Sequence, residues 1–160
     1  MPAVADLTAI IGCGNPNRRD DGAGPRVIEI LAQEPLPAGC ALFDAGTDGM
    51  AVLYRARGAK RLVIVDARAP EANPGAIYEV PGELLEAPPR PSFNLHDFRW
   101  DHALYAGRQI YGAEFPADVA VFLIEAETLA LGLGLSPAVE AAARQVAARI
   151  RVLVAEPVQP

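Results

Sequence analysis

Leu62-Val63-Ile64-Val65-Asp66 is the stretch on which the reading of the fold turns. Four aliphatic residues run together, three of them β-branched, and the run stops at a carboxylate. β-Branched side chains suit an extended backbone. No polar residue alternates with them, so both faces of this strand are expected to be covered, as in a parallel sheet flanked by helices. The neighbouring segments repeat the theme. Residues 7–11 form an apolar run that enters Gly12-Cys13-Gly14, a buried strand ending in a tight loop. Residues 40–43 read as a second strand closed by Asp44-Ala45-Gly46-Thr47, residues 119–124 as another buried strand, and residues 76–80 as a weaker one at an edge.

Helical patterns fall between the strands. Val27, Ile30 and Leu31 share one face of a helix over 24–33, and Asp48 and Gly58 bracket a second over 49–57. A third spans 97–110, with Leu104 and the ring of Tyr105 on its apolar side. Ser136 as N-cap and Pro137 in the first turn open the last helix, which carries Val139, Ala143, Val146, Ile150 and Leu153 on one stripe. Strand–helix alternation of this kind predicts an α/β three-layer sandwich. Its sheet is twisted and mostly parallel, with about five strands and helices on both faces.

Composition sets the outer bounds. A chain of 160 residues suits one domain over 1–160, with its core at about 7–155. Half the residues (51%) are hydrophobic and 21% are charged, enough for a packed core. Fourteen Lys and Arg against twenty Asp and Glu leave a net charge of −6, which speaks against a nucleic-acid partner. No apolar run approaches the roughly 20 residues that span a bilayer. Residues 1–12 lack a basic flank and carry Asp6, so no secretory leader and no membrane partner are expected, and the protein reads as a cytoplasmic monomer. Two cysteines, Cys13 and Cys40, cannot by themselves build a disulfide framework or a four-thiolate zinc site.

In an open parallel sheet, ligands collect at the carboxyl ends of the strands. Three such ends deliver polar residues here: the loop from Gly12 to Gly24, the Asp44-Ala45-Gly46-Thr47 turn, and Asp66. The first has G-x-G, but Asn17 stands where a dinucleotide fingerprint needs its third glycine. Pro16 and the Asp20-Asp21 pair also precede the helix, and two carboxylates there repel a phosphate. Either Asp also suits a helix cap, and Asp66 suits a loop carboxylate bonding nearby amides. His96 stands at the entrance to the third helix. A lone histidine is commonly a structural hydrogen bonder, as His102 is read. The two are six apart, about 600° of helical rotation, and share no helix face. No G-x-S-x-G occurs, Cys13 and Cys40 read as packing residues, and Glu125 and Glu127 as part of a solvated loop. Asp21, Asp66 and His96 together offer two carboxylates and an imidazole, a set suited to a divalent metal such as Ni, Zn or Mn. They come from different loops, so topology permits their meeting and spacing does not establish it.

These motifs together resemble the hydrogenase maturation endopeptidases, the proteases that trim the large subunit of nickel–iron hydrogenases. Gly12-Cys13-Gly14-Asn15 followed by Asp20-Asp21-Gly22-Ala23-Gly24 is similar to the family's opening G-x-G-N and D-[DE]-x-x-G boxes. Asp44-Ala45-Gly46-Thr47 matches its D-x-G-T box, Val63-Ile64-Val65-Asp66-Ala67 its aliphatic strand ending in D-A, and Leu95-His96-Asp97 its histidine before a helix. Gly132-Leu133-Gly134-Leu135-Ser136-Pro137 also looks like the family. The resemblance implies a phosphorylase/hydrolase-like sandwich and an endopeptidase that removes the C-terminal extension of a nickel-loaded [NiFe]-hydrogenase large-subunit precursor. It places metal contact and catalysis on Asp21, Asp66 and His96, and substrate recognition on Asp44, Gly46 and Thr47. The nickel arrives with the substrate, so none need be retained in the isolated protein.

The chain departs from the family pattern at Pro16-Asn17-Arg18-Arg19, where apolar residues are common, at Ala45, and at Asp48. Two arginines beside the site can grip an acidic part of the precursor or simply be solvated. Gly12-Cys13-Gly14-Asn15-Pro16 is shared with peptidyl-tRNA hydrolases, but the histidine expected soon afterward is absent. A non-catalytic escort for the precursor is the remaining alternative.

Overall fold

The structure is a computed structural model describing residues 7–88 and 99–158. Five strands form one sheet in the order β2-β1-β3-β5-β4. They are β1 (Thr8–Cys13), β2 (Cys40–Gly46), β3 (Arg61–Arg68), β4 (Ile77–Pro81) and β5 (Asp118–Glu125). β1, β2, β3 and β5 run parallel, and β4 is antiparallel to β5 at the edge. Helices α1 (Ala23–Leu31), α2 (Gly49–Ala56), α3 (Trp100–Tyr111) and α4 (Pro137–Ala155), with three short 3₁₀ turns, complete the described elements.

Alternation along the strands sorts the core into two layers. Ala9, Ile11, Leu62, Ile64 and Val121 pack with Val52 and Leu53 of α2 and Ala103 and Leu104 of α3. Ile10, Val63, Val65, Phe122 and Ile124 face the other way, against Val27 of α1 and Val139, Ala143 and Val146 of α4. Residues 62–65 are fully buried, as a strand covered on both faces requires. The expected sandwich with helices on both faces is therefore the observed one.

The differences lie at element boundaries. β3 extends to Arg68, because its pairing with β5 continues through Asp66↔Leu123 to Arg68↔Glu125 after the aliphatic run has ended. Asp66 thus sits inside a strand, not after one. In α4 the last core position belongs to Val154, four residues beyond Ile150 and 7% exposed, while Leu153 is only partly buried. Glu125, expected in a solvated loop, is buried and accepts the backbone N–H groups of Glu71 and Asn73 at 3.2 and 2.7 Å. At the amino end of β3, Arg61 is 2% exposed and holds the tail of α4. It donates to Asp118 Oδ2 and to the carbonyls of Leu153, Glu156 and Pro157.

One glycine sets how closely α1 seats on the strand ends. A Cβ on Gly24 would lie 2.3 Å from the Cys13 carbonyl oxygen and 2.5 Å from that of Val65. Both contacts are with backbone, which cannot move aside cheaply. Gly24→Ala is expected to destabilise the protein by at least about 2 kcal/mol in urea unfolding. An unchanged unfolding midpoint would mean that α1 does not sit this close.

Candidate active site

The sheet order reverses at β1, whose two neighbours are reached through α1 on one face and α2 on the other. Such a point leaves a crevice beyond the strand carboxyl ends. Here it holds about 170 Å³, with Cys13 and Gly14 from β1 and the turn after it, Gly46 to Gly49 between β2 and α2, and Asp66 from β3. Asp21, Val52, Arg99 and Trp100 complete the lining.

Asp66 reaches the crevice because β1 stops pairing with β3 one residue earlier, at Gly12↔Val65, where the β1–β2 register shifts. Its side chain lies on the α2/α3 side, and Trp100 Nε1–H from the start of α3 donates to Oδ2 at 2.7 Å. The Ala67 N–H donates to Oδ1 at 2.8 Å, and the Arg99 guanidinium stands 3.8 Å from Oδ2. Burial pushes this carboxyl from its ordinary 3.8 up to about 6. The Trp100 and Ala67 hydrogen bonds oppose the rise, the nearby charge of Asp21 adds to it, and Arg99 opposes it.

Asp21 and Asp20 have opposite fates. A single 3₁₀ turn, Arg19–Gly22, intervenes before α1, whose N-cap Gly22 makes no side-chain cap, so neither carboxylate caps α1. Asp21 lines the crevice, with Oδ2 accepting the Asn15 N–H at 2.8 Å. Asp20 is fully buried and points elsewhere, accepting N–H groups from Glu127, Thr128 and Ser136 and the Ser136 hydroxyl. Ser136 is still the N-cap residue of α4, but its hydroxyl serves Asp20 instead of the helix. Gly14 makes the loop possible. Its φ is +132°, and a Cβ there would lie 1.8 Å from the Asp21 carbonyl oxygen.

The second box is built around its own turn. Asp44 is exposed and accepts the Gly46 N–H at 3.0 Å, while the Gly46 carbonyl accepts the Gly14 N–H at 2.7 Å. Gly46 and Thr47 line the crevice, and Asp44 shapes the turn that presents them. Asp48 caps α2 as expected, accepting the Met50 N–H at 2.9 Å. His102 serves the start of α3, its Nδ1 accepting the Arg99 N–H at 3.2 Å. His96 lies outside the described residues. Among the described residues, no three His, Cys, Asp or Glu side chains form a metal-holding group, so Asp21 and Asp66 are the two expected ligands brought to one crevice. Cys13 also lines it. Burial first, then the charges of Asp66 and Asp44, push its thiol well above the usual range, which keeps it protonated.

Sequence reading passed over Trp100 and Arg99. The signal was present: Trp100 is the chain's single tryptophan, and a buried indole N–H needs an acceptor.

The chain matches the family model described as hydrogenase maturation protease over residues 25–152. It is 31% identical over 148 residues to the hydrogenase 2 maturation protease of Escherichia coli K12, covering 89% of each chain. Among solved structures, it is similar to the hydrogenase maturating endopeptidase HybD from E. coli, with a TM-score of 0.75, 25% identity and 93% and 92% of the two chains covered. The [NiFe] hydrogenase maturation protease HybD from Thermococcus kodakarensis gives a TM-score of 0.73 at 26% identity, over 92% and 99% of the chains.

Two outcomes follow from the environment of Asp66. Its carboxyl is expected to titrate near 6 by carbon-detected NMR, and higher still in Trp100→Phe, which removes a bond favouring the charged form. The raised pKa means that between about pH 4 and 6 the folded protein binds more protons than the unfolded chain. The contribution of Asp66 to stability is therefore complete below about pH 4 and lost as pH rises through 6, by on the order of 3 kcal/mol. The stability difference between Asp66→Asn and the parent should shift in favour of Asn across that window. A pH-independent difference contradicts this.

Proposed function

Because the chain belongs to the hydrogenase maturation protease family and is accordingly an endopeptidase, we propose that its substrate is a nickel-loaded [NiFe]-hydrogenase large-subunit precursor. On this reading the enzyme senses the inserted nickel through Asp21, Asp66 and His96 and removes a C-terminal extension. The observation that carries it is the pairing of Asp21 with the desolvated Asp66 in one crevice at the sheet's switch point.

The electrostatics favour a divalent guest. Burial and the charge of Asp21 both disfavour the charged form of Asp66, so a cation between the two carboxylates relieves both penalties. Carboxylate and imidazole ligands suit nickel. Two carboxylates and one histidine leave coordination positions open, so affinity rises when the substrate supplies further contacts to the metal and along its chain. Processing then depends on nickel having been loaded. Gly46 and Thr47 present backbone and a hydroxyl to the arriving peptide, held in place by the Asp44 turn.

Cleavage requires water to add to the scissile carbonyl and the leaving amine to gain a proton. Nickel arriving with the substrate, held by Asp21, Asp66 and His96, would supply Lewis acidity at the scissile carbonyl or at a water. With nickel beside it Asp66 would stay ionised and hold the metal, and the water that adds supplies the proton that the leaving amine gains.

A cleavage assay with purified precursor tests this. Nickel-loaded precursor should be shortened and nickel-free precursor left intact. Asp21→Asn and Asp66→Asn should each lower kcat/KM by roughly tenfold to a hundredfold while the folded circular dichroism spectrum is kept. Cutting of nickel-free precursor at the loaded rate, or full activity in both variants, would overturn the assignment.

A further inference from the structure

Beside the crevice, two loops are sewn into one unit. The Arg19 N–H donates to the Gly132 carbonyl at 2.9 Å, and the Gly132 N–H donates back to the Asn17 carbonyl at 2.9 Å. Arg18 Nε–H reaches the Leu129 carbonyl at 3.1 Å, and the Asp20 N–H donates to the Thr128 carbonyl at 3.2 Å. Beneath them, the fully buried Asp20 carboxylate accepts three backbone N–H groups and a hydroxyl from residues 127, 128 and 136. Charge-assisted bonds of this kind, shielded from water, are strong. Arg19 is also the one described non-glycine residue in the left-handed region, at φ +47°.

This braced unit holds two leucines out in water. Leu131 is 81% exposed and Leu133 73%, the highest values among the exposed large apolar side chains described. The others, Tyr54, Leu84, Ile110 and Val152, lie on the helices or on the turn after β4, away from the loops at the strand carboxyl ends. Among the described residues, only the leucine pair stands on a loop at that edge, joined by hydrogen bonds to the turn that carries Asp21. Arg18 and Arg19 flank it, both exposed, each with one side-chain N–H on a loop carbonyl, and the Arg19 guanidinium lies against Gly132.

We propose that this loop pair is the docking surface for the body of the substrate protein. Leu131 and Leu133 enter an apolar recess on the folded precursor, and Arg18 and Arg19 meet carboxylates on its rim. The inference rests on the proposed function and adds to it where the substrate is held while its tail enters the crevice. Two features favour this occupant. The loop pair is hydrogen-bonded to the turn that carries Asp21, so a protein seated on it is held close to the crevice. It also exposes two arginines beside the leucines, cations that can meet carboxylates on the rim of a partner. Because the loop is already rigid, little ordering entropy opposes docking.

The test is binding of nickel-loaded precursor to the full-length protein, measured by surface plasmon resonance beside the cleavage assay. The Leu131→Ser/Leu133→Ser double variant should weaken Kd about tenfold or more, with kcat at saturating precursor held within twofold. Arg18→Gln/Arg19→Gln should weaken Kd and flatten its salt dependence. Circular dichroism and thermal melting report on folding, and both leucines are exposed enough to be replaced without disturbing the core. Parental Kd in both double variants overturns the docking surface. So does a parent protein that sediments as a dimer and becomes monomeric in the leucine variant, because the surface then belongs to a second copy. Parent protein that binds but never cuts would sink the proposed function and leave the docking surface standing.

Discussion

A carboxylate that has lost most of its water is the constraint around which this crevice is organised. Asp66 is 7% exposed, yet it lies where β3 outruns its pairing with β1 and opens onto the sheet's carboxyl edge. A buried carboxylate without partners would be neutral, and a neutral acid attracts no cation. Trp100 and Ala67 each donate an N–H to it, and Arg99 stands close by, so burial raises its pKa only to about 6. The group is thus held near its titration point, charged at neutral pH but only moderately solvated. The start of α3 is tied to the sheet by that arrangement, since the indole that bonds Asp66 also packs into the α2/α3 layer.

The neighbouring pair Asp20 and Asp21 shows how a rigid site is made from a loop. One carboxylate turns inward and ties the loop to the segment before α4, and the next turns outward into the crevice. The buried member removes the freedom that would otherwise blur the position of its neighbour. Gly14 and Gly24 let backbone approach backbone closely enough for both to happen. Membership of the hydrogenase maturation protease family fits a small, fixed site of this kind.

Much of this was legible in the sequence, for physical reasons. The aliphatic run 62–65 announced a strand covered on both faces, and Asp66 at its end was read as a carboxylate delivered to the sheet's carboxyl edge. The strand's true limit at Arg68 was hidden, since backbone pairing with β5 continues after the side-chain signal stops. Asp20 and Asp21 could not be told apart locally. Their difference is decided by amides 107 to 116 positions further along the chain. Trp100 escaped notice for the same reason, its acceptor lying 34 positions away.

Anomalous diffraction at the nickel absorption edge, from crystals of the protein soaked with a nickel salt, addresses the arrangement most directly. One peak within coordinating distance of a carboxylate oxygen from Asp21 and another from Asp66 is the expected result. Peaks confined to the outer surface at saturating nickel, with the crevice empty and both side chains in place, would contradict it.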